Sequence, residues 1–175
     1  MPADLRTAAR ALREQAWPGP GGDHDPALDP VTMLLVEDGR VLAVLDILSK
    51  TIEHSGQTFA ASGLSAVVTD HTRRREGNGL RLVRAAHAAI RDSGVDIGLF
   101  TCDSPLRTFY ERAGWTVLPG TVLIGGTPDA PLPSDGPGFD KVTLGDFFTP
   151  RGQRFRASFV DARIALYSGD IDRLW

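Results

Sequence analysis

The spacing of apolar residues changes several times along the chain, and each change marks an element. Over 3–16, Leu5, Ala8, Ala9, Leu12 and Ala16 recur at helical spacing, and Pro18 ends the run. Residues 18–30 (PGPGGDHDPALDP) form a loop by composition, since Gly and Pro sustain neither a helix nor a ladder. Val31 to Val36 and Val41 to Leu48 are near-continuous apolar runs on either side of Asp38-Gly39, which predicts a hairpin over 31–49. A third strand follows from Phe59 to Val68. Asn78-Gly79 opens a helix reaching about Arg91, with Leu82, Val83, Ala86, Ala89 and Ile90 as its apolar face and Ser93-Gly94 as its end.

Ile97 to Cys102 is a short buried strand. Asp103 or Ser104 caps the next helix, with Pro105 in its first turn and Gly114 at its stop. Trp115 to Ile124 is a further strand, 125–138 a polar, proline-rich loop, and Val142 to Phe148 and Arg154 to Tyr167 the last strands. The basic stretch Arg151 to Arg156 then falls on a strand edge. The expected fold is α/β (α+β), a mixed and mostly antiparallel sheet with helices on its faces.

Length and composition narrow this picture. A chain of 175 residues fits one domain, 1–175, with a core of ordinary size. A net charge of −3 argues against a general nucleic-acid binder. No apolar run is long enough to span a bilayer. The first 17 residues lack a signal-peptide centre, so a cytoplasmic location is expected. Cys102 is the single cysteine, which rules out an intrachain disulfide, and it reads as a small buried residue. His24, His54 and His71 sit in loops without metal-ligand spacing, and His87 lies beside apolar helix neighbours, so no metal is expected.

The chemistry concentrates in 65–90, SAVVTDHTRRREGNGLRLVRAAHAAI, where an apolar strand enters an Arg- and Gly-rich turn that opens a helix. Arg74-x-x-Gly77-x-Gly79 has a physical logic. Glycine lets the backbone bend and an anion come close. The first amides of the helix lack partners, and the helix dipole adds positive potential. Together they make a pyrophosphate cradle, and Arg73, Arg74 and Arg75 add charge that reaches the phosphates. The competing reading is a solvated arginine run. A dinucleotide fingerprint does not fit, because no glycine precedes Gly77 at the required spacing.

A second segment, Phe109-Tyr110-Glu111-Arg112-Ala113-Gly114-Trp115, follows about 30 residues later. With it the sequence resembles the GNAT superfamily of N-acetyltransferases over roughly 31–124. Arg74, Gly77 and Gly79 match that family's R/Q-x-x-G-x-G/A loop, and Tyr110, Gly114 and Trp115 match its Y-x-x-x-G-F/W element. The resemblance implies acetyl-CoA as cosubstrate and a small-molecule amine as acceptor. The strand ending at Val67 and Val68 is expected to splay from strand 97–102 and to pair its backbone with the pantetheine arm. The amides from Arg75 through Gly77, Asn78, Gly79 and Leu80 are expected to hold the pyrophosphate, and Tyr110 to protonate the departing thiolate, since a neutral phenol can donate a proton to sulfur.

The resemblance also marks departures. Ser65 stands where the family often carries a carboxylate base, and serine without a partner is a poor base. Either a water relay takes the proton, or a carboxylate arrives from the hairpin, where Asp46 and Glu53 are candidates. Residues 1–30 form a variable front end shorter than usual, so the acceptor pocket is either open or completed by a second subunit in a homodimer. Within the family the layout looks similar to the aminoglycoside 2′-N-acetyltransferases. That likeness implies a polyamine-like acceptor held by Asp170, Asp172 and the carboxylate of Trp175 in the tail 168–175, with the indole stacked on a sugar ring. A small amine or a peptide is the other acceptor class. A non-catalytic module that binds acyl-CoA is the alternative function.

Overall fold

The computed structural model describes residues 1–19 and 23–175. Helix α1 (Ala3–Ala16) leads through a 3-10 turn, Pro26–Leu28, to strands β1 (Val31–Glu37), β2 (Arg40–His54) and β3 (Gln57–Thr69). Asp38-Gly39 and Ser55-Gly56 join these strands, and all four residues have positive φ, the backbone that two-residue hairpin turns require. Then come α2 (Asn78–Asp92), β4 (Ile97–Asp103), α3 (Arg107–Arg112), β5 (Thr116–Val117), β6 (Val122–Gly126), β7 (Pro131–Pro133), β8 (Lys141–Phe147), α4 (Pro150–Phe155) and β9 (Arg163–Ala165).

Six strands form one sheet in the order β1-β2-β3-β4-β8-β5, antiparallel everywhere except β3–β4. A small second sheet runs β7-β6-β9. Residues of β2 divide between two cores, as a pleated strand demands. Ala43, Leu45 and Ile47 pack with Leu82, Val83, Ala86 and Ile90 of α2, while Val44 packs with Ala9 and Leu12 of α1. The two helices therefore cover opposite faces.

Three expectations are corrected. The strand 115–124 is two strands in different sheets, because Pro119 and Gly120 (φ +64) turn the chain between Thr116–Val117 and Val122–Gly126. The segment 154–167 is not a strand but begins as helix and carries only a short strand near its end. Thr149 caps α4 by accepting from the Gly152 amide at 3.1 Å, Pro150 occupies its first turn, and a 3-10 turn, Arg156–Phe159, follows before the three-residue β9. The next helix starts without a side-chain cap from Asp103. That carboxylate pairs with Lys141 at 2.8 Å, and Ser104 bonds Asp140 at 2.6 Å. Part of the loop 18–30, residues 20–22, lies outside the described residues.

One end of the core is aromatic. Phe59 on β3 meets the Phe155 and Phe159 rings edge-on, with centroids 5.7 and 5.4 Å apart, and Phe159 meets Phe147 at 5.3 Å. Phe59 is fully buried. Its replacement by Ala is expected to cost about 3–5 kcal/mol, read as a lower midpoint in urea unfolding. A loss below about 1 kcal/mol would show that α4 and its 3-10 turn are not anchored through this ring.

Candidate functional site

Strands β3 and β4 pair at only two positions, Ala61 with Ile97 and Ser62 with Gly98, and then part. The cause lies in β3. Its register against β2 slips by one residue between Val68 and Ser65, and Ala66 takes a positive φ of 49°. Such a bulge bends its strand and turns it away from the next one. The expected splay is present, and Ser65, Ala66 and Val67 are half-buried along its β3 side, with Val68 more deeply placed.

At the open end β3 runs into the cradle. Asp70 holds the turn. It accepts from the Thr72 hydroxyl and amide at 2.7 and 2.9 Å and from Arg40 at 2.6 Å, and these partners, Thr72 first, keep its carboxyl below the usual range. Gly77 (φ +83) caps α2, and the Arg81 amide makes the first helical bond to its carbonyl at 2.9 Å. The amides of Asn78, Gly79 and Leu80 therefore have no intrahelical acceptor.

The two motif glycines have different work. A Cβ on Gly77 would meet nothing within 4 Å, so its outer side is open. A Cβ on Gly79 would lie 2.6 Å from the Thr69 hydroxyl and 3.5 Å from the Phe109 ring, so Gly79 lets α2 close on β3 and α3. The buried Asn78 amide group turns back to the Arg73 carbonyl at 3.3 Å and the Glu76 carboxylate at 3.4 Å. Arg73 is engaged by Glu76 at 2.6 Å and Glu37 at 3.7 Å. Arg74 and Arg75 are exposed and make no ion pair among the described residues.

Tyr110 sits on α3, 6% exposed, with its ring edge-on to Phe100 at 5.1 Å. Its hydroxyl makes no hydrogen bond among the described residues. Burial, aided by Cys102 and Asp103, pushes the phenol well above its ordinary range, and burial lifts the Cys102 thiol to about 11. Both groups stay protonated at neutral pH. Trp115 of the same motif packs instead of reacting: a Cβ on Gly98 would lie 2.5 Å from its ring. His87 supports that ring edge-on at 4.8 Å and pairs with Asp146 at 2.9 Å.

On the α1 face, Asp46 stands opposite Ser65 in the ladder and is 1% exposed. Its oxygens face Arg13 at 2.5 Å, the Thr32 hydroxyl at 2.5 Å and His24 Nε2 at 3.0 Å. His24 Nδ1 faces Asp172 at 2.5 Å, and the other oxygen of Asp172 accepts from the Asp25 amide at 2.8 Å. The bond to Asp46 raises the His24 pKa, burial works against it, and Asp172 raises it further. Protonated, the ring donates to both carboxylates. Asp46, expected as a base or substrate carboxylate, is thus saturated by protein partners.

The remaining expectations divide. Glu53 is exposed near the tip of the β2–β3 hairpin, opposite Thr58, and does not join Asp46 or Tyr110. Asp170 is exposed, and Asp172 is engaged with His24. Trp175 offers no free face for a sugar: it is 3% exposed and its Nε1 donates to the Leu99 carbonyl at 2.9 Å. Sequence places His24 in a loop without a role, and its bridge between Asp46 and Asp172 was not anticipated. A groove of about 680 Å3 beyond α3, lined by Trp115, Val117, Val122 and Val142 among others, is separate from the split. Among the described residues no group of three or more His, Cys, Asp or Glu side chains is placed to hold a metal ion, and no helix is long and apolar enough to cross a membrane.

The family model described as an acetyltransferase (GNAT) domain matches residues 6–118. The fold is similar to that of ElaA from Escherichia coli, at 16% identity and TM-score 0.58 over 83% of this chain and 91% of that one. It is similar as well to an acyl-CoA N-acyltransferase from Pseudomonas aeruginosa, at 17% and 0.57 over 83% and 91%. An aminoglycoside 6′-N-acetyltransferase complexed with coenzyme A aligns at 14% and 0.57 over 86% and 94%. No curated protein matches the sequence.

The His24 geometry has a consequence in pH. A pKa raised by folding adds stability that is complete below the ordinary value, about 6.5, and is lost as pH rises through the folded-state value. As pH rises above about 6.5 the wild type is expected to lose unfolding free energy. His24→Gln, which cannot carry the charge between Asp46, Asp172, Arg13 and the Asp25 amide, is expected to flatten that slope in urea titrations. An equal slope in both proteins would assign the pH dependence to another group.

Proposed function

The chain belongs to the GNAT acetyltransferase family, and from that membership we propose that it moves an acetyl group from acetyl-CoA directly to the primary amine of a small cationic acceptor. The observation that carries this reading is the parting of β3 and β4 after two residue pairs, with the α2 cradle at the open end and Tyr110 beside the gap.

In this reading the amides of Asn78, Gly79 and Leu80 and the exposed Arg74 and Arg75 receive the pyrophosphate, with Gly77 leaving room for it. The pantetheine arm runs along the β3 backbone from Val68 toward Ser65. The acceptor nitrogen attacks the thioester carbonyl, a C–N bond forms, and the C–S bond breaks. Tyr110 gives its proton to the leaving sulfur and regains one from solvent. The phenol is neutral at working pH, and because burial makes it a weaker acid, its hydrogen bond to the sulfur tightens into proton transfer only as the C–S bond breaks. The proton lost by the amine passes to water over the Ser65 hydroxyl, since Asp46 is occupied by Arg13, Thr32 and His24.

The acceptor class follows from charge. Asp23, Asp25 and Asp29 on the N-terminal loop and the exposed Asp170 on the tail come together through the His24–Asp172 contact, which joins the two segments. An acidic rim favours a polycation. A 2′-amine of an aminoglycoside is the specific candidate we put forward. The saturation of Asp46 favours a second reading, a module that binds acyl-CoA without turnover.

Tyr110→Phe is expected to lower kcat by roughly 10²–10⁴-fold while leaving the affinity for acetyl-CoA within about twofold. Gly77→Asp, which adds bulk and negative charge at φ +83, is expected to abolish CoA binding. Thiol release with a panel of aminoglycosides, simple amines and peptides, beside calorimetric CoA titration, checks both. Acetyl-CoA binding without thiol release from any acceptor would select the non-catalytic module.

A further inference from the structure

The tail is seated in the fold. The Gly169 amide donates to the Gly126 carbonyl at 2.9 Å, and the Gly126 amide donates to the Arg173 carbonyl at 2.7 Å. A side chain at Gly125 would strike that Arg173 carbonyl, so β6 offers glycine where the tail crosses it. Lys50 donates to the Tyr167 carbonyl at 2.7 Å, and Asp172 is pinned by His24 and the Asp25 amide. The chain then turns into the split.

There Trp175 takes up the edge of β4 that β3 has left. Its indole donates to the Leu99 carbonyl at 2.9 Å, and its own carbonyl accepts from the Thr101 amide and hydroxyl, each at 3.3 Å. Across the gap is Gly63, the first residue of β3 after the last pair. A Cβ there would lie 2.7 Å from the indole nitrogen and clash with the Leu99 carbonyl. Only glycine at 63 allows the ring to sit where it does. The apex of the split is thus closed by an indole that is almost wholly buried and hydrogen-bonded on both its ring and its backbone.

The direction of the cosubstrate makes this an acyl wall, an inference that rests on the reading proposed above. The cradle sits beyond Thr69, at the open end. From Thr69 back to Gly63 the strand spans roughly 20 Å at ~3.3 Å per residue, room for an extended arm whose sulfur arrives last. Tyr110 lies against Phe100 and close to Cys102, so the thioester sulfur it serves is level with that part of β4. The acyl carbon chain, one step further on, points toward Leu99 and Gly63. We propose that Trp175 is the residue that sets acyl-chain length, its indole filling the apex of the β3–β4 split so that an acetyl group fits and a longer acyl group does not.

The test is calorimetric titration of CoA, acetyl-CoA, butanoyl-CoA and hexanoyl-CoA into the wild type and into Trp175→Phe, Trp175→Leu and Trp175→Ala. The wild type is expected to bind hexanoyl-CoA at least about tenfold more weakly than acetyl-CoA, the penalty of forcing methylenes against a closed wall. Trp175→Ala is expected to narrow that ratio to about threefold or less, Trp175→Leu to fall between, and Trp175→Phe, which keeps most of the bulk but loses the bond to Leu99, to stay near the wild type. Equal binding of acetyl- and hexanoyl-CoA by the wild type overturns the proposal without any variant, and so does a ratio unchanged in Trp175→Ala. If Trp175→Ala does not unfold cooperatively, the leucine variant and the wild-type chain-length profile decide. A wild type that binds none of the four, CoA included, fails the donor reading itself, an outcome distinct from uniform binding of all four.

Discussion

Two strands that stop pairing leave a row of backbone amides and carbonyls on each facing edge, and such groups need partners. Much of this molecule answers that need. The bulge at Ala66 turns β3 away after Ser62, so the next groups of β4 lose their ladder. On the β4 side the backbone and indole of Trp175 supply the missing bonds at Leu99 and Thr101. On the β3 side Ser65 to Val67 stay half-buried with their edge facing the gap. The asymmetry is what a cosubstrate with an amide-bearing arm would use: one edge is already satisfied, and the other is left to the ligand.

Charge is sorted along the same axis. The open end carries the unpartnered amides of α2 with Arg74 and Arg75, and the opposite end carries the aspartates of the N-terminal loop and tail. Between them the reactive wall is kept neutral by burial, with Tyr110 and Cys102 both held protonated. In the reading proposed above, donor and acceptor approach the split from different ends and do not compete for the same side chains. Arg13, Asp46, His24 and Asp172 form a chain of contacts that belongs to neither approach. It joins α1, β2, the N-terminal loop and the tail.

The parts of this arrangement that were legible in sequence are local. Gly77 and Gly79 are placed by their spacing within a strand-turn-helix segment, although sequence could not say that one faces open space while the other lets Thr69 and Phe109 close in. Tyr110 is carried by its position before Gly114-Trp115. What was not legible depends on distance along the chain. His24 sits in a Gly- and Pro-rich loop with no periodicity, and its partner Asp172 is 148 residues away. Glu53 shares the hairpin with Asp46 in sequence, but β2 extends to His54 and carries Glu53 out to the hairpin tip. The segment 154–167 reads as strand from sequence. The helix start at Thr149-Pro150, a shorter signal, decided the outcome.

The tail contacts join parts of the chain that are far apart in sequence. Trp175 reaches Leu99 across 76 positions, and Asp172 reaches His24 across 148. Contacts of such separation form late, after the sheet and helices that they close over, and they are held by few residues. The apex of the split is therefore completed only once the strands and helices around it are in place. A wall built this way cannot be assembled locally: it exists only when both ends of the chain have found their places.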